Sequence, residues 1–149
     1  MVIWILFIWS RSLEPSVESA QASGYAMNLI NGLLEKLSFG IDVSEHFIRK
    51  IAHFTEYTIL GLLVANALKV FSVKEQFLGA FGCLLVAMCD ESIQLFVEGR
   101  SGQVSDVWLD FAGALTGLLL YNVIKKFAAK RAQEKESFNE KKNCNCIGT

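Results

Sequence analysis

Three long apolar runs divide the chain: Ile51 to Phe71, Phe77 to Val97 and Val107 to Ile124. Each is long enough, as a helix rising roughly 1.5 Å per residue, to cross most or all of a hydrocarbon core of about 30 Å. The first two are joined by the short segment Ser72 to Gln76, and the last two by Glu98-Gly-Arg-Ser-Gly-Gln-Val-Ser, rich in turn formers, which returns the chain to the same face as a hairpin. Met1 to Trp9 is uniformly apolar but rises only about 14 Å as a helix, so it predicts a truncated first span, with the true start upstream of Met1. Ser10 to Gly24 carries the only proline and reads as an external loop. In Tyr25 to Phe39 the apolar positions Met27, Leu29, Ile30, Leu33, Leu34 and Leu37 form a helical stripe, which predicts an amphipathic helix lying in the membrane interface. Lys130 to Thr149 is mostly polar and reads as a mobile tail. The expected fold is all-α: a small polytopic membrane bundle of three full spans plus the truncated one, an interfacial helix and a polar cytoplasmic tail, with a membrane domain over 1–124 and a basic, disordered tail over 125–149.

Composition agrees with a bilayer as solvent: 52% of the 149 residues are hydrophobic and the mean hydropathy is +0.37. A net charge of −1 gives no footprint for nucleic acid, but the charge is polarised, with seven Lys or Arg beyond Asn122 against three Glu. By the positive-inside rule the C-terminus is cytoplasmic, the Ser72 loop inside and the Gly99 hairpin outside, although Arg11, Lys36, Arg49, Lys50 and Arg100 then lie on the outer side. The cysteines add little. Cys83 and Cys89 are too far apart along one helix to bond, and Cys144 and Cys146 in the tail have no nearby His to complete a metal site.

Acidic residues inside these runs change the picture. Each charge at the centre of a span costs about 2.5 to 3.5 kcal/mol on insertion scales, so Asp90, Glu91, Asp106 and Asp110 need partners, protons or water. On a helical wheel Lys50, His53, Tyr57 and Gly61 share one stripe. Asp106, Asp110, Gly113 and Gly117 share a line at spacing four, three, four, where the glycines admit a neighbouring helix and aim the carboxylates at it. Asp90 and Gln94 share a face, with Glu91 about 100° away. One polar cluster at the outer ends of the three spans follows: Lys50, His53 and Tyr57 facing Asp90, Gln94, Asp106 and Asp110, roofed by Arg100.

The run Ile48-Arg-Lys-Ile-Ala-His-Phe-Thr-Glu-Tyr-Thr-Ile-Leu-Gly61, then Asp90-Glu-Ser-Ile-Gln-Leu-Phe96, then Gly99-Arg-Ser-Gly-Gln-Val-Ser-Asp-Val107 and Asp110-Phe-Ala-Gly113, resembles the VanZ-like family in order and spacing. With the Ser-Leu-Glu-Pro segment the resemblance covers about Trp4 to Ile124. It implies a small bacterial multi-span membrane protein, of a family named after a member associated with resistance to the glycopeptide teicoplanin, and no settled reaction. The residues carried over are Lys50, His53, Tyr57, Asp90, Glu91, Gln94, Arg100, Asp106 and Asp110. The short first span and Glu98, where many relatives have proline before Gly-Arg, depart from the family pattern.

Three function classes fit these residues. One is a non-catalytic envelope protein that alters how lipophilic antibiotics, or anionic polymers and lipids, behave at the outer face, with Lys50, Tyr57, Gln94 and Arg100 as binding groups. A second is a membrane-embedded hydrolase or transferase on a lipid or polymer headgroup, with His53, Asp90, Glu91, Asp106 and Asp110 as candidate acids, bases or ligands. A third is a small transporter with an Asp/His/Lys proton relay, for which so few spans require an oligomer. No cofactor is implied, though a divalent cation is compatible with the acidic cluster. Membrane lipids are the expected partners. Against all three stands the bland alternative that buried Lys, His and Asp simply neutralise one another and fix helix register.

Overall fold

The computed structural model describes residues 1–36, 43–69, 73–100 and 102–147. They form five helices in the order α1 (Val2–Ser12), α2 (Ser16–Lys36), α3 (Glu45–Ala67), α4 (Val73–Gln94) and α5 (Val104–Ile147), with no strand among the described residues.

The Ser10–Gly24 stretch corrects its sequence reading. It is not a loop: α1 runs through Ser12, a short turn follows, and α2 begins at Ser16. Serine, glutamate and alanine tolerate a helix, and Pro15 just before the first turn of α2 removes an N–H that would lack a partner anyway. Arg11 clamps the turn with hydrogen bonds of 2.7 Å to both carboxylate oxygens of Glu14. The amphipathic helix therefore starts nine residues before Tyr25 and is described as far as Lys36; Leu37 and Phe39 lie outside the described residues. Its Asn31 holds the chain entering α3, donating to Val43 O at 3.2 Å and accepting from Val43 N at 3.0 Å.

Helix α3 starts six residues before the apolar run at Ile51, because Ser44 caps it by accepting from Phe47 N and Glu45 complements its positive end. It stops at Ala67, and Lys69 follows with a left-handed φ of 48°. Among the described residues two helices are long and apolar enough to cross a membrane, Lys74–Gln94 within α4 and Val104–Glu136 within α5. Helix α3 is not one of them, since Lys50, His53, Glu56 and Tyr57 dilute its apolar run. At 11 residues α1 is too short, as its sequence indicated. Where the polar composition beyond Ile124 predicted a mobile tail, α5 continues as helix to Ile147, with its side chains from Val123 to Glu136 exposed. Over 123–136 that extension is supported by its own backbone bonds rather than by packing, the condition in which helices are marginal in water.

The most extensive helix contact is α3 against α5. Its cause is visible in the glycines: a Cβ on Gly117 would collide with Thr58 O, one on Gly61 with Ala114 O, and one on Gly113 with Phe54 O. The two backbones touch, as small residues permit in membrane helices. Tyr57, Leu60, Val64, Ala114, Leu118 and Tyr121 form the core along this seam, joined by Cys83 and Ala87 of α4 and Ile8 of α1. Phe77, Phe81, Leu85 and Met88 on α4, and Leu119 and Val123 on α5, point outward and exposed, as a hydrocarbon surround would favour.

Candidate functional site

The polar ends of α3, α4 and α5 converge. Lys50 Nζ lies 3.3 Å from Asp106 Oδ1, and His53 Nδ1 lies 3.9 Å from Asp110 Oδ1. Both pairs link α3 to α5, because the glycine seam below them fixes the register at which the two stripes meet. Asp90 of α4 completes the group: His53, Asp90 and Asp110 offer ligand atoms all within 4.8 Å of one another. Gln94 Nε2 donates at the outer limit of hydrogen bonding to Asp90 Oδ2 (3.5 Å) and to Ser12 Oγ (3.4 Å). Tyr57 is fully buried beneath them.

Above this group opens a cavity of about 260 Å³, lined by His46, Arg49, Lys50, His53, Glu91, Gln94, Gly99, Arg100, Gln103, Asp106 and Leu109. Glu91, which the wheel set apart from Asp90, turns to the hairpin, where its Oε2 accepts from Gln103 N at 2.9 Å and so holds the start of α5. Gly102 fits closely there, since a Cβ would come within 2.8 Å of Glu91 O and 2.9 Å of Leu95. Gly99 carries the positive φ, 76°, that turns the hairpin. Arg100 Nη2 donates to Arg11 O at 3.1 Å, tying the hairpin to the end of α1. Its Nε is buried without a partner and, among the described residues, its guanidinium makes no ion pair. Burial, then the nearby Arg49, lower its pKa, yet from so high an ordinary value that it stays cationic.

The buried acids are poorly satisfied. Asp90 and Asp110 are 0% exposed, and Asp90 Oδ1, both oxygens of Asp110, His53 Nδ1 and Tyr57 Oη lack a hydrogen-bond partner among the described residues. Every sequence-predicted site residue thus stands in or beside one cluster, Asp106 at its solvated rim and Asp110 at its floor. Among the described residues Glu56 of α3 makes no ion pair, for Arg49 pairs with Glu45 and Lys50 with Asp106. Sequence reasoning missed Arg11, Ser12, His46 and Gln103. Ser12 had a signal: with Trp4 and Ile8 it repeats at spacing four, and both Ile8 and Ser12 are fully buried.

The profile of the VanZ/LLP1 family matches residues 1–125, which takes in every residue of this site. The chain belongs to the VanZ/LLP1 family. Neither curated proteins nor solved structures give a match. Family membership and the two apolar helices make the chain a VanZ-like membrane protein. In this family member the polar cluster is built by four of the five helices, α1 and α3 to α5, with α2 held against α3.

Proposed function

We propose that this protein binds an anionic envelope headgroup, phosphate or carboxylate, in the cavity beside Arg100, and thereby alters the response of the cell to teicoplanin-type or other lipophilic antibiotics. The observation that carries the reading is the guanidinium of Arg100: it borders the cavity, is held in place through one nitrogen by a backbone carbonyl, and has no carboxylate of its own among the described residues. A planar guanidinium so placed matches such anions bidentately. Lys50 adds a second cation at the rim. In this reading α3 is the third full span, the C-terminus is cytoplasmic, and the cavity opens at the outer face, where such headgroups and antibiotics meet. Its crossing is supported by the partners that its polar stripe finds on α5, which lower the cost of burying that stripe.

One observation favours a second reading. Unpaired buried carboxylates beside an imidazole also suit a membrane-embedded hydrolase or transferase with His53 as acid or base. The two separate in cells expressing Arg100→Gln or His53→Gln at equal membrane abundance. Binding alone predicts that Arg100→Gln abolishes the change in teicoplanin susceptibility while His53→Gln retains part of it; catalysis predicts loss with both. Full susceptibility change with Arg100→Gln overturns the anion site. In the same strains, cleared of native cysteines, a cysteine replacing the exposed Glu98 reacts with an impermeant maleimide from outside. Labelling only after lysis reverses the orientation.

A further inference from the structure

The buried end of the cluster asks for something that the anion site does not supply. Two carboxylates, Asp90 and Asp110, are wholly shielded from solvent, and Lys50 and Arg100 are engaged elsewhere, on Asp106 and on the Arg11 carbonyl. His53 is the nearest candidate cation, but at 3.9 Å its Nδ1 makes no hydrogen bond to Asp110. Five buried polar atoms of four residues therefore face one another without hydrogen-bond partners among the described residues: His53 Nδ1, Tyr57 Oη, Asp90 Oδ1 and both oxygens of Asp110. In a native interior such atoms are rare and ask for an ion, a water or a proton.

We infer that His53, Asp90 and Asp110 bind a divalent transition-metal ion, of the Zn²⁺ or Mn²⁺ class, at the floor of the cavity. Charge favours it, because two carboxylates neutralise one dication and leave no net charge in the low-dielectric interior. Donor type favours it over Mg²⁺ or Ca²⁺, because an imidazole nitrogen beside two carboxylates suits the borderline metals, whereas Mg²⁺ and Ca²⁺ take oxygen shells. The separations fit after small adjustment. Donors bound at about 2.1 Å from one ion lie about 3 to 4 Å from each other, and those of this trio already lie within 4.8 Å. Gln94 on Asp90, itself hydrogen-bonded to Ser12, provides the outer support that metal-binding carboxylates ordinarily have. Three protein ligands leave coordination positions open, and His53 lines the cavity, so an anion held by Arg100 has access to the ion. That last connection rests on the anion-binding reading; the metal itself does not.

The test uses the full chain, purified in detergent, with Cys144→Ser and Cys146→Ser to remove the tail thiols. The apo protein is titrated with Co²⁺, Zn²⁺ and Mn²⁺ alone. One ion binds per chain, with Mg²⁺ and Ca²⁺ at least a hundredfold weaker. Asp90→Asn, Asp110→Asn and His53→Gln each weaken binding at least tenfold while circular dichroism and gel filtration stay unchanged, and Glu98→Gln, on the exposed hairpin, has no effect. Should a variant fail to fold, pulsed EPR of the Mn²⁺-loaded protein without site substitutions decides, by showing coupling to one histidine nitrogen that persists in His46→Gln. Folded protein that takes up no stoichiometric ion, binding undiminished in the three variants, or a spectrum without that nitrogen overturns the site and leaves a shared proton as the occupant. Arg100→Gln retains the ion, so failure of the anion reading and failure of the metal reading are told apart.

Discussion

The α3–α5 pair has two halves that solve opposite problems. Along Gly61, Gly113 and Gly117 the backbones are so close that no side chain fits between them, and Leu60, Val64, Ala114 and Leu118 close the seam with apolar contact. One to three turns away, at Lys50, His53, Asp106 and Asp110, the same helices face each other through ionisable groups whose hydrogen-bonding capacity is only partly met. The first half is over-determined by shape. The second is under-satisfied in chemistry, and it is positioned only because the first half leaves the register no freedom. Stability and the proposed function thus fall on neighbouring turns of the same two helices, which is where a cost in stability at the site can be offset.

Substitution in each half breaks this contrast in a different way. Gly117→Leu is the largest expected effect. Its Cβ collides with backbone of α3, which no rotamer relieves, so overpacking costs at least the upper end of about 1 to 3 kcal/mol and the protein is lost from the membrane fraction. Normal abundance and melting temperature for Gly117→Leu would show that the seam is not the determinant. Asp110→Asn comes next and has the opposite sign: in metal-free buffer it removes an ionisable group buried without hydrogen bonds, so Tm holds or rises, while added Zn²⁺ raises the Tm of the parent protein and not of the variant. A large metal-independent loss of Tm would mean that Asp110 already has an adequate partner. Lys50→Gln is the smallest. Its ion pair with Asp106 is part-exposed, with side-chain exposures of 36% and 27%, so stability changes by about 0 to 1 kcal/mol and diminishes further in high salt. A thermal shift matching that of Gly117→Leu would place Lys50 in the structural half after all.

What could be read from the sequence follows the same division. Helical periodicity was enough to put Asp106, Asp110, Gly113 and Gly117 on one line and Lys50, His53, Tyr57 and Gly61 on another, because a helix repeats its faces wherever it lies. Meeting of the two lines was inferred from the glycines and is what the structure has. Periodicity is blind to contacts made by backbone. The Arg11 carbonyl that receives Arg100 and the Gln103 amide that Glu91 accepts carry no side-chain signature. Nor did polarity mark Ser10 to Gly24 correctly, since serine-rich composition describes a preference for water and turns that local helix formation overrides once Pro15 sits ahead of a first turn. Helix α3, read from the sequence as a full crossing, falls short of the apolarity of α4 and α5 for a related reason: the residues that make it the centre of the cluster are those that lower its apolarity.

The Arg100 contact with Arg11 joins positions 89 residues apart and has a consequence for how the protein is made. Synthesis delivers α1 and α3 long before the hairpin exists, so in the proposed topology Lys50 and His53 enter the bilayer with none of their eventual acidic partners yet synthesised. Asp90 then arrives on α4, and at about 2.5 to 3.5 kcal/mol per charge its insertion alone is penalised until Asp110 and the hairpin follow. Entry of α4 and α5 together, as a paired unit against an α3 already waiting, avoids that penalty. The hairpin is then the last piece of the site to be positioned, and the moment at which Arg100 reaches the end of α1 is the moment at which the nascent chain becomes this protein.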